Sequence, residues 1–334
     1  MQSKRIDLLL PLRRWYIIYI LVLLGFTACK QTDTKGKNQE ESLTDSAGTY
    51  LVILGTLQDG GSPHIGCKKE CCKDLFTNPD PTRKVVSLGL IDGKTERNWL
   101  IEATPDIASQ LKLLKQLSKF QEVETPTGIF VTHAHIGHYA GLMYLGKEAL
   151  GTKEVPVYAM PRMKTYLETN GPWSQLVAQK NINLMPLTDD STIDLSKDIK
   201  VTPFTVPHRD EFSETVGYKI EGPNKTVLFI PDINKWGIWK RNIVEEIAKV
   251  DYAFIDATFF SGEEINSRNI SEIPHPFVSE SLELFEKLPI SERNKIYFIH
   301  FNHTNPLLNP KSKQSQLVIK QGFHISKFRD IIKL

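Results

Sequence analysis

The stretch "GIFVTHAHIGHYAGL", Gly128 to Leu142, sets His133, His135 and His138 within six residues, directly after a short apolar run. "GIFVT" is a buried-type run, which predicts a strand that stops where the histidines begin. Residues two apart on an extended chain face the same side, so His133 and His135 can grip one ion. His138, three residues on, is swung away by the turn and can approach a second position. Gly137 stands where a metal-binding pattern of this shape usually carries an acid.

Working outward, β-like and helix-like segments alternate. "TYLVILG", "KVVSLGLID" and "NWLIEA" read as strands. "TPDIASQLKLLKQLSKF" places Ile107, Leu111, Leu114 and Leu117 at helical spacing, with Thr104 as the expected cap before Pro105. Beyond the histidines, "VPVYA" reads as a strand, "MKTYLET" and "WSQLVAQK" as helices. "IKVTPFTV", "TVGYKIEG", "KTVLFIPD", "DYAFIDATFF" and "NKIYFIHF" read as strands, with "WKRNIVEEIAKV" and "VSESLELFEKL" as helices. No repeat or linker divides the chain after Gly48. The expectation is one domain over residues 49–334, with two sheets and outer helices.

The chain has nine histidines, and those downstream of the opening stretch fall beside strand ends. His208 follows "IKVTPFTV", Asp232 follows "KTVLFI", and His300 and His303 follow "NKIYFI" in "HFNHTNP". Loops at strand ends are where a rigid scaffold presents a site. Neutral imidazole is the commonest ligand for zinc and related divalent ions, with carboxylate as its usual companion. His208 could complete a three-histidine set, and Asp232 could bridge two ions.

Composition is that of an ordinary globular chain of 334 residues, 40% hydrophobic and 24% charged. A net charge of +2 offers no electrostatic case for nucleic acid. The N-terminus is more specific. Basic residues Lys4, Arg5, Arg13 and Arg14 precede an apolar run from Trp15 to Ala28, too short for a comfortable membrane span but suited to a secretory signal. The ending "GFTAC" resembles the lipobox of bacterial lipoproteins. It implies a signal peptide over 1–28, a lipid anchor on Cys29, a flexible tether over 29–48, and an exported domain facing the periplasm or cell exterior. An uncleaved signal anchor is the alternative. The remaining cysteines, Cys67, Cys71 and Cys72, cluster with His64, and the set has the donor types of a structural zinc site. A Cys67–Cys71 disulfide, favoured by oxidising conditions, and simple free thiols are the competing readings.

The ordered set of H-x-H-x-x-H, a lone His208, a strand-end Asp232 and a late His300 resembles the metallo-β-lactamase superfamily. The resemblance spans about Thr49 to Leu334. It implies an α+β fold, an αββα sandwich with the metals at one edge of the sheets. It implies one ion on His133, His135 and His208, a second on His138 and His300, and Asp232 between them. His300 is preferred to His303 because it stands at the immediate end of its strand.

"VILGTLQDGGSPHIGCKKECC", "PDIN", "FIDATF", "PHPF" and "FIHFNHTNP" look like the pyrroloquinoline quinone biosynthesis protein B branch. "DATF" with "PHPF" is also similar to ribonuclease Z-like members. That likeness implies that Asp256 orients His275 and that His275 protonates the leaving group. Gly137 departs from the pattern by removing one ligand, so one tightly held ion and a partial second site are expected.

The implied activity is metal-dependent hydrolysis of an ester or phosphodiester-type small substrate, with Zn²⁺ as one or two ions. Fe²⁺ or Mn²⁺ suits the same donors, and an iron-dependent oxidative enzyme or a non-catalytic binding lipoprotein is the alternative. Trp236 and Trp239 could wall a pocket or pack a helix. Asn302 and Asn305 could shape the late loop or touch substrate. Asp106 could reach the site or serve a helix N-terminus.

Overall fold

The first strand, β1 (Thr49–Gly55), is apolar on both sides and buried throughout. Its side chains alternate. Leu51 and Ile53 pack in the layer between two sheets, while Tyr50, Val52 and Leu54 pack under helices on the opposite face. A strand covered on both faces reads as a continuous apolar run.

The chain is described here from a computed structural model over residues 46–120, 122–264 and 273–334. The expected signal peptide, Cys29 and the tether up to residue 45 lie outside the described residues. Among the described residues no helix is long and apolar enough to cross a membrane.

Two seven-stranded sheets form among the described residues. The first runs β14 (Ile331–Lys333), β1, β2 (Ser87–Asp92), β3 (Arg97–Ile101), β4 (Gly128–Phe130), β5 (Val155–Ala159) and β6 (Ile182–Pro186). The second runs β13 (His324–Ile325), β12 (Ile296–Ile299), β11 (Tyr252–Asp256), β10 (Thr226–Ile230), β9 (Val216–Glu221), β8 (Lys200–Thr205) and β7 (Ile193–Asp194). Each sheet is antiparallel in one half, and β3 to β6 and β10 to β13 are parallel.

Between the sheets Trp99, Phe130, Tyr218, Phe229 and Phe254 fill the core. Phe130 stacks on Tyr158 at 4.3 Å and meets Tyr218 edge-on at 5.6 Å. The outer face of the first sheet is covered by α1 (Ile107–Ser118), whose Ile107, Leu111, Leu114 and Leu117 form one buried stripe. Each such side chain contributes roughly 1.5–3 kcal/mol of burial. The four-residue α2 (Ile136–Tyr139) carries part of the histidine motif, and α3 (Pro161–Thr169) and α4 (Trp173–Ala178) complete that layer. The other sheet is covered by α5 (Ile243–Ala248), α6 (Val278–Phe285) and α8 (Lys313–Lys320), with the short α7 (Ile290–Arg293) between the last two. The order is helix, sheet, sheet, helix, the expected αββα sandwich.

Several local expectations differ. Thr104 does not cap α1. Asp106 occupies that position, while Thr104 Oγ1 accepts from Asp106 N at 3.0 Å and donates to Gln110 at 2.7 Å. Asp106 serves neither the metal site nor the helix end. Its carboxylate accepts from Val85 N at 2.9 Å and pairs with Lys84 at 3.3 Å. The "WKRNIVEEIAKV" helix starts only at Ile243, where the Asn242 side chain accepts from Val244 N. Strands β6, β7, β13 and β14 are absent from the sequence reading. The last two are two or three residues long and defined by pairing partners rather than by local pattern.

Candidate metal centre

Parallel strands deliver their C-terminal ends to one edge, and the polar residues follow there. In the first sheet Glu102 comes directly after β3 and His133 soon after β4. In the second sheet Asp232 follows β10, Asp256 ends β11 and His300 follows β12. Glu102 and His300 both have positive φ, 77° and 69°, an uncommon conformation that turns the side chain sharply off the strand axis. The carboxyl ends of strands are where open α/β sheets place ligands.

One ligand atom each from His133, His135, His208 and Asp232 lie within 4.8 Å of one another. His133 Nε2 is 2.8 Å from His135 Nδ1, and His208 Nε2 is 3.3 Å from the same atom. Asp232 Oδ2 lies 3.4 Å from His133 Nε2 and 3.2 Å from His208 Nε2. Tetrahedral ligands on a zinc ion are roughly 3.3 Å apart, so the set already has close to ligand spacing.

The far nitrogens fit the same reading. His133 Nδ1 lies 2.9 Å from Thr132 Oγ1, His208 Nδ1 3.1 Å from Asn234 Oδ1, and His135 Nε2 3.1 Å from Glu211 Oε2. With a proton on each outer nitrogen, the three inner nitrogens turn lone pairs toward one point. Burial, with the neighbouring His138, holds the His133 pKa well below the ordinary imidazole range, so the ring is neutral as a ligand must be.

A second set joins Asp59, His138, Asp232 and His300. His138 Nε2 is 3.0 Å from Asp59 Oδ1 and 3.8 Å from Asp232 Oδ2. His300 Nε2 is 3.5 Å from Asp59 Oδ1 and, like Asp232 Oδ1, is buried without a hydrogen bond among the described residues. Thr258 Oγ1 donates to Asp256 at 2.7 Å and lies 2.8 Å from His300 Nδ1. The hydroxyl therefore accepts from His300 Nδ1, which leaves Nε2 directed toward Asp59.

Glu102 Oε1 pairs with His138 Nδ1 at 3.3 Å, and neither Glu102 oxygen makes a hydrogen bond among the described residues. Burial opposes charging of His138, but the carboxylates of Glu102 and Asp59 outweigh it and hold its pKa well above the ordinary range. Against the same burial cost, Asp256 and Asp59 raise His300 to about 8. Three buried carboxylates and the part-buried Asp59, set among histidines, form a site that a cation completes. A divalent ion fits these donors.

The third group is Asp232, Asp256 and His275. His275 Nδ1 lies 2.8 Å from Asp256 Oδ2 and 3.1 Å from Asp232 Oδ1. Burial works against its charge, yet Asp256 and then Asp232 raise His275 to about 10. Every residue expected at the centre thus converges, and two unexpected ones, Asp59 and Glu102, join them. Neither carries a signal of its own, since Glu102 is a single acid after β3 and Asp59 lies four residues past the end of β1. Glu102→Gln is expected to weaken the ion held by His138 by ~10–100-fold, the effect of losing an outer-shell carboxylate. Equilibrium dialysis against graded metal measures this, and an unchanged affinity would refute the role.

The cysteine cluster differs from expectation in one ligand. Cys67, Cys71 and Cys72 group with His303, not His64. His64 instead stacks on the His303 ring at 4.5 Å, and its backbone N donates to Cys72 Sγ at 3.4 Å. This also separates His300 and His303, since only His300 faces the histidine centre. The thiols are unlinked, with Cys67 and Cys71 sulfurs 3.7 Å apart and Cys71 and Cys72 sulfurs 4.0 Å apart. Sulfurs on a tetrahedral zinc are roughly 3.8 Å apart.

Trp236 Nε1 donates to Ser281 Oγ and Trp239 Nε1 to the Thr205 carbonyl, so both indoles pack the α5–α6 layer. Asn305 Nδ2 donates to the Ala257 carbonyl at 2.7 Å and Asn302 Nδ2 to Thr304 at 2.7 Å, which shapes the late loop.

Known proteins share this architecture. The family described as "Beta-lactamase superfamily domain" matches residues 97–301. Coenzyme PQQ synthesis protein B of Klebsiella pneumoniae (strain 342) is 23% identical over 303 residues, covering 83% of this chain and 96% of that protein. The crystal structure of Zn²⁺-bound PqqB from Methylobacterium extorquens is similar with a TM-score of 0.70 at 21% identity, over 85% of this chain and 100% of that one. A diphosphatase of the PhnP family is similar with a TM-score of 0.58, also at 21% identity, over 86% of this chain and 97% of that one. The chain belongs to the metallo-β-lactamase superfamily and is a PqqB-like member of it.

Proposed function

We propose that the protein is a metal-dependent hydrolase acting on an ester or phosphodiester-type small substrate, with zinc as its metal. The observation that carries this is Asp232, which belongs at once to both histidine ligand sets and to the Asp256–His275 pair. A divalent ion at this centre supplies Lewis acidity and a water acidified to a pKa of ~7. His133, His135 and His208 would hold it, with Asp232 toward a second ion on His138 and His300.

The chain's own residues then govern proton movement and orientation. Asp256 accepts from Ile233 N at 3.1 Å and from Thr258 N at 2.8 Å, so its carboxylate is immobile where it meets His275. With Nδ1 tied to Asp256, His275 has Nε2 left to give a proton to a departing oxygen. Burial opposes ionisation of Asp256, but His275 and His300 hold its pKa at about 2, so it stays an anion that supports an imidazolium. A groove of about 370 Å³ is lined by Asn234, which meets His208, by Pro274, the residue before His275, and by Lys235, Ile238, Phe277 and Glu280. That size suits a small ligand.

Asp256→Asn is expected to lower kcat by ~10²–10³-fold on substrates with alkoxide leaving groups, within the range of general acid catalysis. Esters of p-nitrophenol, which depart without a proton, should be far less affected, and metal content should be unchanged. An equal loss on both substrate types would count against proton donation by His275. The wider reading is tested by assaying bis(p-nitrophenyl) phosphate and p-nitrophenyl esters with and without oxygen. Anaerobic turnover is expected. A requirement for O₂, with no hydrolysis, would overturn it in favour of oxidation.

A further inference from the structure

Gly137 is the second residue of α2, and its φ lies outside the left-handed region. Backbone freedom therefore does not call for glycine, and glycine inside a helix costs about 1 kcal/mol relative to alanine. Space does call for it. A Cβ at position 137 would stand 2.6 Å from Asp59 Cα and 2.7 Å from both its Cγ and Oδ1. Any larger side chain there would displace Asp59 from His138 and His300.

Asp59 is held in that space by its chain neighbours. Strand β1 runs in the same direction as β3, two antiparallel steps away, so its C-terminal end reaches the same edge. The segment after it is stitched to both sheets. Leu57 O accepts from Val86 N at 2.8 Å on one side. On the other, Phe301 N donates to Thr56 O at 2.8 Å and Gln58 N donates to Phe301 O at 2.9 Å. Phe301 is the residue after His300, so Asp59 and His300 are brought together by adjacent backbone bonds.

We propose that Asp59 is the carboxylate ligand of the second ion, reaching from the loop after β1 into the space that Gly137 leaves open. The second position is then a full four-donor site of Asp59, His138, Asp232 and His300, and the acid of the motif has changed its place in the chain. This rests on the metal-centre reading and is independent of which reaction the centre performs.

The test is binding alone. Full-length protein, stripped of metal and held in detergent, is titrated with Mn²⁺, which suits imidazole and carboxylate over thiolate. Electron paramagnetic resonance distinguishes isolated ions from a coupled pair. Wild-type protein should show a coupled pair at saturation. Asp59→Ala should show isolated Mn²⁺ only, with the second Kd weakened by ~100-fold or more, beyond the effect of an outer-shell change. Asp59→Asn, which preserves shape and one carbonyl oxygen, should be intermediate and guards against misfolding of the alanine variant. A wild type that saturates with one ion, or an Asp59→Ala protein that keeps the pair at unchanged affinity, would overturn the proposal. Loss of hydrolysis with the pair intact would instead count against the proposed reaction.

Discussion

Asp232→Ala is expected to empty the histidine centre of both ions and to lower kcat/KM by ~10⁴-fold or more, a large share of a typical enzymatic acceleration. Its Oδ2 lies 3.2–3.8 Å from His208, His133 and His138, and its Oδ1 3.1 Å from His275. The residue is 2% exposed. No water can replace its charge cheaply in so closed a position, and four imidazoles would be left facing one another. Metal content by mass spectrometry and turnover on the same preparation check the outcome. His300→Ala offers the contrast, since it belongs to the second set alone and should leave one ion in place. Full activity in metal-free Asp232→Ala protein would end the hydrolytic reading.

Cys72→Ser is expected to release one zinc ion and to lower the melting temperature by ~10 °C, taking a few kcal/mol at ~3 °C each for a domain of this size. Cys72 is fully buried, and the cluster joins the loop after β1 to the loop after β12 through His303. A metal clip between segments so distant in sequence closes a very long loop, where cross-links have the most entropy to remove. The ligand assignment has its own check. His303→Ala should lose the same ion, and His64→Ala should retain it, because His64 stacks on the cluster instead of joining it. Zinc loss in His64→Ala with retention in His303→Ala would reverse the assignment.

Much of this centre was legible before any coordinates. His133, His135, His208, Asp232 and His300 could be ordered because each stands at or just past a strand, and strands that are buried on both faces announce themselves as apolar runs. The alternation of those runs with amphipathic helices such as Ile107–Ser118 pointed to two sheets with outer helices, and the αββα layering followed from the family resemblance. What escaped were the partners without a local signature. Asp59 is 79 residues from His138, and nothing in "TLQDGG" says which edge it will reach. Glu102 is one acid at the end of one strand, distinguished only by the His138 nitrogen that it meets. The choice of His303 over His64 depends on how two loops fold against each other.

The sequence by itself determined the class of fold, the histidines expected to hold a first ion and the anomaly at Gly137, because local periodicity and residue chemistry act over a few positions. The tertiary structure decided what that anomaly means. A missing side chain and a distant carboxylate are related only by the volume they compete for, and such competition exists only once the sheets have packed.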